Sequence, residues 1–262
     1  MHTAGSIKAL KGRKKIVMLT AYDYTMSSLL EKAGVDMILV GDSLGMVFQG
    51  NATTLPVTVD EVIYHTKAVM KGAKKTMVVA DMPFMSYQAS KGAAKKNGGR
   101  VIKETGAAAV KLEGGADIIP QVKALVDAGI PVMGHIGMQP QSVKKYGGYP
   151  VFGRTPAEEK ELVEAAKRLE AAGVFSLVIE KTAARAAGAV TKAVKIPVIG
   201  IGAGPECDGQ VLVTHDMLGF FEDFKPKFVK RYERLAVRAV KAVKRFSEDV
   251  RGKKYPRRKY YF

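Results

Sequence analysis

The sequence predicts an α/β protein, specifically a (β/α)8 barrel (TIM barrel), and two observations predict it. Short apolar segments rich in β-branched residues alternate with amphipathic helical segments along the chain. The chain has 262 residues, which is the length of one such barrel. Because strands that are buried on both faces and joined by helices form parallel sheets, this alternation favours one closed eight-stranded barrel. We predict a single domain over residues 1–262.

Seven apolar segments are predicted to form strands. They are Ile16–Leu19, Met37–Val40, Met77–Ala80, Ala109–Leu112, Val132–Gly134, Leu177–Ile179 and Val198–Ile201. The eighth strand is expected between Gly209 and Lys230, where Gln210–Val213 and Phe228–Val229 are the two candidates.

Helices are predicted between the strands from capping residues and apolar spacing. Tyr24–Ala33 and Pro156–Ala172 are each followed by a glycine, the residue that most often ends a helix. Val59–Lys71 begins with a capping-box pattern. Arg231–Val250 is predicted to be a long closing helix, and a basic C-terminal tail follows from about Arg251.

The composition restricts the classes of protein to which this chain can belong. Apolar residues make up 47% of it, enough for a sizeable core. Cys207 is the only cysteine, which excludes an intrachain disulfide and a multi-cysteine zinc site. Met1–Lys15 is basic and polar, and no apolar run approaches the roughly 18 residues of a membrane span. We therefore expect a cytoplasmic protein with no membrane partner.

The formal net charge of +17 can indicate nucleic acid, an anionic surface or acidic substrates as partners. The lysines and arginines flank the apolar segments without interrupting them, so we interpret the charge as a solvated surface. Nucleic acid is not the expected partner, because no recognition motif accompanies the charge. The alternative, a basic RNA-binding protein, depends on Lys253–Phe262, where Tyr255, Tyr260 and Tyr261 lie among basic residues.

Polar residues gather where the predicted strands end. In a (β/α)8 barrel the active site lies at the carboxyl ends of the strands, so acids and bases after several consecutive strands predict such a site. In chain order these residues are Asp23, Asp42, Ser43, Asp81, Lys111, Glu113, His135, Glu180 and Lys181.

Three of these acids, Asp42, Asp81 and Glu113, offer hard oxygen ligands with no thiolate nearby. Magnesium prefers such ligands and completes its shell with water and substrate oxygens. A cation held in this way can bind the carboxylate and keto oxygens of a 2-oxo acid and stabilise its enolate. Lys111 adds positive charge, and alternation along the strand puts it on the same side as Glu113.

Glu180 is the remaining carboxylate and follows an apolar strand. We expect partly apolar surroundings that make it a better general base, and the alternative is a surface pair with Lys181. His135 could contact substrate, bond to a metal ligand or be structural. Ser43 could donate to the substrate carboxylate or cap a turn. The segment Gly200–Gly204 could bind an anion or form a tight turn.

Several ordered motifs resemble one family, that of ketopantoate hydroxymethyltransferase, over about Gly12 to Lys230. The motifs are Val40-Gly41-Asp42-Ser43-Leu44-Gly45-Met46, Thr54-Leu55-Pro56-Val57-Thr58, Ala80-Asp81-Met82-Pro83-Phe84, Val110-Lys111-Leu112-Glu113-Gly114-Gly115, Gly134-His135-Ile136-Gly137, Pro140-Gln141-Ser142-Val143, Pro197-Val198-Ile199-Gly200-Ile201-Gly202-Ala203-Gly204 and Asp208-Gly209-Gln210-Val211-Leu212-Val213.

The resemblance implies a barrel of the phosphoenolpyruvate/pyruvate superfamily. It also implies transfer of a hydroxymethyl group from 5,10-methylenetetrahydrofolate to 3-methyl-2-oxobutanoate, with Mg²⁺, giving 2-dehydropantoate for pantothenate biosynthesis. Self-association is implied as well, since many bacterial members are homodecamers. By motif, Asp42 and Asp81 resemble metal ligands with Glu113 at or next to the metal. Asp42, Ser43, Asp81 and Lys111 resemble the oxo-acid contacts, and Glu180 resembles the catalytic base.

Two segments depart from the family pattern. Lys181-Thr182-Ala183 replaces a more apolar stretch, and Lys91–Arg100 is unusually basic and glycine-rich. Neither includes a proposed metal ligand. A second interpretation keeps the barrel and the magnesium but assigns a lyase or mutase of the same superfamily that acts on oxo acids without folate. Dependence of turnover on folate distinguishes the two.

Overall fold

The structure, a computed structural model, describes residues 2–222 and 226–262. Its eight strands are parallel and close into a barrel in sequence order, with β8 paired to β1. The predicted (β/α)8 barrel is thereby confirmed. The strands are β1 (Ile16–Thr20), β2 (Met37–Val40), β3 (Met77–Asp81), β4 (Ala109–Glu113), β5 (Val132–Gly137), β6 (Ser176–Glu180), β7 (Val198–Ile201) and β8 (Gly209–Leu212).

The helices of the described ranges surround or follow these strands. They are α1 (Ala4–Lys8), α2 (Tyr24–Ala33), α3 (Leu44–Val47), α4 (Val59–Gly72), α5 (Lys91–Thr105), α6 (Ile119–Asp127), α7 (Val143–Tyr146), α8 (Pro156–Ala171), α9 (Ala184–Ala193), α10 (Thr214–Leu218) and α11 (Leu235–Arg251). Short 3-10 turns are formed by Ala116–Ile118, Pro140–Ser142 and Arg258–Tyr260. No helix in the described part of the chain is both long enough and apolar enough to cross a bilayer.

Two of the sequence-based assignments near the C-terminus are corrected. The eighth strand is Gly209–Leu212, which confirms the candidate Gln210–Val213 to within one residue and shows that Phe228–Val229 is wrong. The amide of Val229 donates to the carbonyl of Pro226, so that segment forms a turn. The last helix begins at Leu235 instead of Arg231, because the amide of Tyr232 donates to the carbonyl of Met217 and not within a helix.

The chain divides into two compact units. The first runs to Leu212 and contains all eight strands, and the second runs from Val213 to the end and contains α10 and α11. Helix α11 buries none of its residues. Its apolar side chains, Val237, Val240, Val243 and Phe246, are each more than half exposed.

The barrel interior follows the two-residue period of a strand. Met77 and Val79 of β3 pack inside the barrel with residues from the other strands, whereas Val78 and Ala80 face the surrounding helices. Asp81 continues the inward set, because successive side chains of a strand alternate between its faces. The same period brings Lys111 and Glu113 of β4 to the inner face, and both are buried. A polar cluster at the carboxyl end of the barrel therefore follows from strand geometry.

Two adjacent glycines of α5 are expected to respond differently to alanine. Gly99 has open space where a Cβ would lie, whereas a Cβ on Gly98 would meet Leu125 Cδ2 at 2.6 Å. Alanine is the better helix former by up to about 1 kcal/mol. We expect Gly99→Ala to raise the free energy of unfolding by about 0.5–1 kcal/mol, measured by urea titration. Gly98→Ala is the matched control, and equal stabilisation by both substitutions would contradict the close packing at Gly98.

Candidate active site

Strand register brings the predicted polar residues together at the carboxyl end of the barrel. Asp81 of β3 lies opposite Lys111 of β4, and Glu113 of β4 lies opposite His135 of β5. Glu180 ends β6, where it lies opposite Gly137. Three neighbouring pairs of strands thus bring five polar residues next to one another, namely Asp81, Lys111, Glu113, His135 and Glu180.

Asp42 lies in the turn after β2, beside Asp81. The amide of Asp42 donates to Asp81 Oδ2 at 3.1 Å, and both side chains are buried. Glycine at position 41 leaves room for the Ser43 hydroxyl, because a Cβ there would meet Ser43 Oγ at 2.8 Å. Ser43 is partly buried and its hydroxyl lies 2.8 Å from the hydroxyl of Tyr22.

Lys111 is the cation of the cluster. Its Nζ lies 2.7 Å from Asp81 Oδ1 and 3.8 Å from Glu113 Oε1. Burial disfavours the charged ammonium, but Asp81, Glu113 and Asp42 outweigh burial and raise the pKa of Lys111. The three acids therefore stabilise the positively charged form of Lys111.

His135 lies between two carboxylates. Its Nδ1 is 3.4 Å from Glu113 Oε1, and its Nε2 is 3.4 Å from Glu180 Oε2. Burial and Lys111 oppose a positive charge on the ring, but Glu113 and Glu180 outweigh them and raise the pKa of His135 to about 9. Nδ1 also lies 3.2 Å from Lys111 Nζ. Protonation of the ring, which the raised pKa favours, places a proton on Nε2, near Glu180.

Buried carboxylates outnumber buried cations in this cluster. Burial raises the pKa of Asp42 well above its usual range, and the neighbouring charges of Asp81 and Glu113 raise it further. Burial likewise raises the pKa of Asp81, although Lys111 acts in the opposite direction. For Glu113, burial is outweighed by His135 and Lys111, so its pKa is lowered.

This surplus of buried negative charge fits a divalent cation beside Asp42 and Asp81. Magnesium is commonly held by one or two carboxylates, with water and substrate oxygens as its other ligands. Glu113 is separately engaged, since it accepts a hydrogen bond from the amide of Gln141 at 3.0 Å. Across residues 2–222 and 226–262, no three His, Cys, Asp or Glu side chains are grouped closely enough to hold a metal ion alone. Asp42 and Asp81 are therefore the candidate ligands, and Glu113 lies next to them.

Some strand-end residues lie outside the cluster. Asp23 is the N-cap of α2, where its Oδ1 accepts from the amide of Met26 at 2.8 Å. Lys181 directs its ammonium to the carbonyl of Tyr149, on a left-handed backbone with φ 43°. Gly204 has φ 85°, and a Cβ there would meet Ala184, which favours the tight-turn interpretation of the glycine-rich segment.

Sequence reasoning missed two buried polar residues of the cluster, Gln141 and Tyr87. Gln141 Nε2 donates to Asp42 Oδ2 at 2.9 Å, and the Tyr87 hydroxyl donates to Gln141 Oε1 at 2.9 Å. Gln141 follows β5 in the turn Pro140–Ser142. Its position within a recognised motif was the one signal available in the sequence.

Comparison with known proteins decides the family. Residues 2–258 match the family described as ketopantoate hydroxymethyltransferase. The chain belongs to this family. A 3-methyl-2-oxobutanoate hydroxymethyltransferase from Clostridium botulinum (strain Alaska E43 / Type E3) is 52% identical over 262 residues, covering 100% of this chain and 95% of that protein. One from Moorella thermoacetica (strain ATCC 39073 / JCM 9320) is 53% identical over 261 residues, covering 99% and 97%.

Solved structures show the same barrel in more distant proteins. A 2,3-dimethylmalate lyase of the PEP mutase/isocitrate lyase superfamily aligns with a TM-score of 0.63 and 17% identity, over 98% of this chain and 90% of that chain. A phosphonopyruvate hydrolase solved with oxalate and Mg²⁺ aligns with a TM-score of 0.61 and 13% identity, over 99% and 93%. At these identities the likeness shows the fold of this member of the ketopantoate hydroxymethyltransferase family, as the sequence predicted.

Proposed function

We propose that this member of the ketopantoate hydroxymethyltransferase family transfers a hydroxymethyl group from 5,10-methylenetetrahydrofolate to 3-methyl-2-oxobutanoate, giving 2-dehydropantoate for pantothenate biosynthesis. The relatives that are about half identical to it carry the name of this activity. The observation that supports the proposal is the buried cluster at the barrel mouth, in which Asp81 lies beside Lys111 and a separate carboxylate, Glu180, lies beside His135.

The oxo acid is proposed to bind through its carboxylate and keto oxygens beside Asp42 and Asp81. Mg²⁺ held by these two side chains would supply a Lewis acid for the developing enolate. Lys111 places a fixed ammonium 2.7 Å from Asp81 Oδ1, next to the same oxygens. Its charge is oriented before the substrate arrives, so little reorganisation accompanies enolate formation. Ser43, beside the Tyr22 hydroxyl, is proposed to donate to the substrate carboxylate.

Glu180 is proposed to remove the proton from C3 of the oxo acid. Its side chain retains 18% exposure, whereas that of Glu113 retains 2%, so Glu180 is the carboxylate of the pair that a bound substrate can reach. His135 carries a proton on the nitrogen that faces Glu180, so it can orient this base but cannot itself accept the proton there. The carbanion at C3 then bonds to the methylene carbon of the ring-opened folate iminium, and the electron pair of the C=N bond passes to the nitrogen. Water then replaces that nitrogen at the methylene carbon, which gives the hydroxymethyl product and tetrahydrofolate.

Exchange of the C3 proton of 3-methyl-2-oxobutanoate with deuterium oxide tests the oxo acid, the metal and the base together. NMR is expected to show exchange that requires Mg²⁺. Asp42→Ala and Asp81→Ala are expected to lose both exchange and Mg²⁺ binding, because each removes a carboxylate ligand. Unchanged Mg²⁺ affinity of both variants in calorimetric titrations would reject the ligand assignment.

Folate dependence separates the transferase from a lyase or mutase of the same superfamily. The transferase forms product only when 5,10-methylenetetrahydrofolate is present, whereas proton exchange proceeds without it. Consumption of the oxo acid without folate would favour the lyase interpretation.

Self-association is part of the proposal, with a homodecamer as the specific form. The exposed apolar side chains of α11 support it, because an apolar stripe along a helix is normally buried against a partner. Sedimentation velocity measures which oligomeric form is present.

A cytoplasmic site of action is also part of the proposal. It agrees with a single cysteine, Cys207, that is buried and unpaired. Nucleic acid is not among the proposed partners.

A further inference from the structure

Gln141 is buried and connects two acids of the active-site cluster. Its side-chain Nε2 donates to Asp42 Oδ2 and to the carbonyl of Met82, both at 2.9 Å. Its backbone amide donates to Glu113 Oε2 at 3.0 Å. One residue of the turn after β5 is therefore bonded to an acid that follows β2 and to an acid that ends β4.

The orientation of the Gln141 amide is fixed by its partners. Nε2 faces Asp42 Oδ2 and the carbonyl oxygen of Met82, and the carbonyl oxygen can only accept. Oε1 faces two donors, the hydroxyl of Tyr87 at 2.9 Å and the side-chain amide of Gln88 at 3.1 Å. Turning the Gln141 amide over would place its oxygen against the Met82 carbonyl and its NH2 group against the NH2 group of Gln88, so these hydrogen bonds favour one orientation.

The Asp42 carboxylate is bonded to this amide. In the part of the chain that the structure describes, the side-chain hydrogen bond to the Asp42 carboxylate comes from Gln141 alone. The ammonium of Lys111 pairs instead with Asp81. A carboxylate held by one donor keeps its other oxygen available for a ligand, and such supporting hydrogen bonds set the orientation of metal-binding groups.

We infer that Gln141 is a positioning residue that fixes Asp42 for metal binding and couples it to Glu113. This inference rests on the proposed function, since it assigns the cation to Asp42 and Asp81. Gln141 itself contacts neither metal nor substrate in this assignment. Its removal should weaken metal binding and leave the barrel intact.

Calorimetric titration of the folded, substrate-free protein with Mg²⁺ tests the inference. Gln141→Asn keeps an amide but shortens the side chain, and Gln141→Leu removes its polar atoms at similar volume. Both are expected to weaken Mg²⁺ binding by a factor of about 10–100. At a fixed low Mg²⁺ concentration the KM for the oxo acid should rise, and saturating Mg²⁺ should restore most of the turnover. If Gln141 had only a structural role, saturating Mg²⁺ would not restore the turnover of its variants.

Gln139→Leu is the matched control, because Gln139 lies in the same turn and bonds to Ser142 and Tyr146 but to none of the acids. It should bind Mg²⁺ like the wild type. If circular dichroism shows that Gln141→Leu does not fold, the Mg²⁺ affinity of the milder variant Gln141→Asn tests the inference. Wild-type Mg²⁺ affinity in a folded Gln141 variant overturns the inference and leaves the proposed function standing. Failure of the wild-type protein to bind Mg²⁺ rejects the metal site and the inference together.

Discussion

Replacement of Glu180 by glutamine is expected to slow exchange of the C3 proton of 3-methyl-2-oxobutanoate by a factor of about 10²–10⁴, the usual contribution of a general base. Glutamine has nearly the same shape as glutamate but cannot accept the proton. The substitution should leave the proposed metal site intact, since His135 lies between Glu180 and the carboxylates that are proposed to hold Mg²⁺. Metal affinity in Glu180→Gln should therefore match that of the wild type.

The local geometry explains why no neighbour should replace Glu180. The raised pKa of His135 favours a proton on the Nε2 that lies near Glu180, and the side chain of Glu113 is almost fully buried. Both groups are therefore less suited than Glu180 to accept a proton from the substrate. The residual exchange in Glu180→Gln should therefore reflect the polarised substrate alone.

Deuterium exchange followed by NMR measures this rate directly, without folate. Glu164→Gln is a suitable control, since Glu164 is half exposed and, among the described residues, pairs with Lys167 alone, at 3.1 Å. It should exchange at the wild-type rate. Wild-type exchange in Glu180→Gln would refute the base assignment, and loss of Mg²⁺ binding in that variant would mean that Glu180 supports the metal site.

Replacement of Lys111 by methionine is expected to cause a large decrease in the free energy of unfolding. The side chains of Lys111 and Asp81 are 4% and 2% exposed, and removing one partner of a buried ion pair leaves an uncompensated charge that costs about 3–5 kcal/mol. Methionine retains most of the volume of the lysine side chain, so a cavity contributes little to the loss. Activity should fall as well, because the ammonium beside the proposed substrate oxygens is lost.

Urea unfolding in the absence of Mg²⁺ measures the effect of Lys111→Met. Lys67→Met is the matched control, because Lys67 pairs with Glu104 at 3.4 Å with half of its side chain exposed. Exposed pairs of this kind contribute at most about 1 kcal/mol. Equal losses in the two variants would contradict the view that Lys111 compensates the buried acids.

Most of the barrel could be predicted because its signals are local. The two-residue period of the apolar segments and the glycines and capping residues at helix ends are read within one segment. Helix α2 begins and ends where the sequence predicted, and β2 and β7 do so as well. The eighth strand was ambiguous because Gly209–Leu212 includes an exposed polar residue, Gln210, whereas β2 and β7 contain no polar side chain.

The sequence by itself determined the fold class, the face of the barrel that carries the site, and the acids and bases that strand ends deliver to that face. Only the tertiary structure decided which of them meet. Asp23 caps helix α2, and Lys181 bonds to the carbonyl of Tyr149 and not to the cluster. Gln141, in the turn after β5, lies next to Asp42. Strand alternation fixes the face on which a side chain lies, but contacts between strands and turns depend on register and loop conformation, which no single segment encodes.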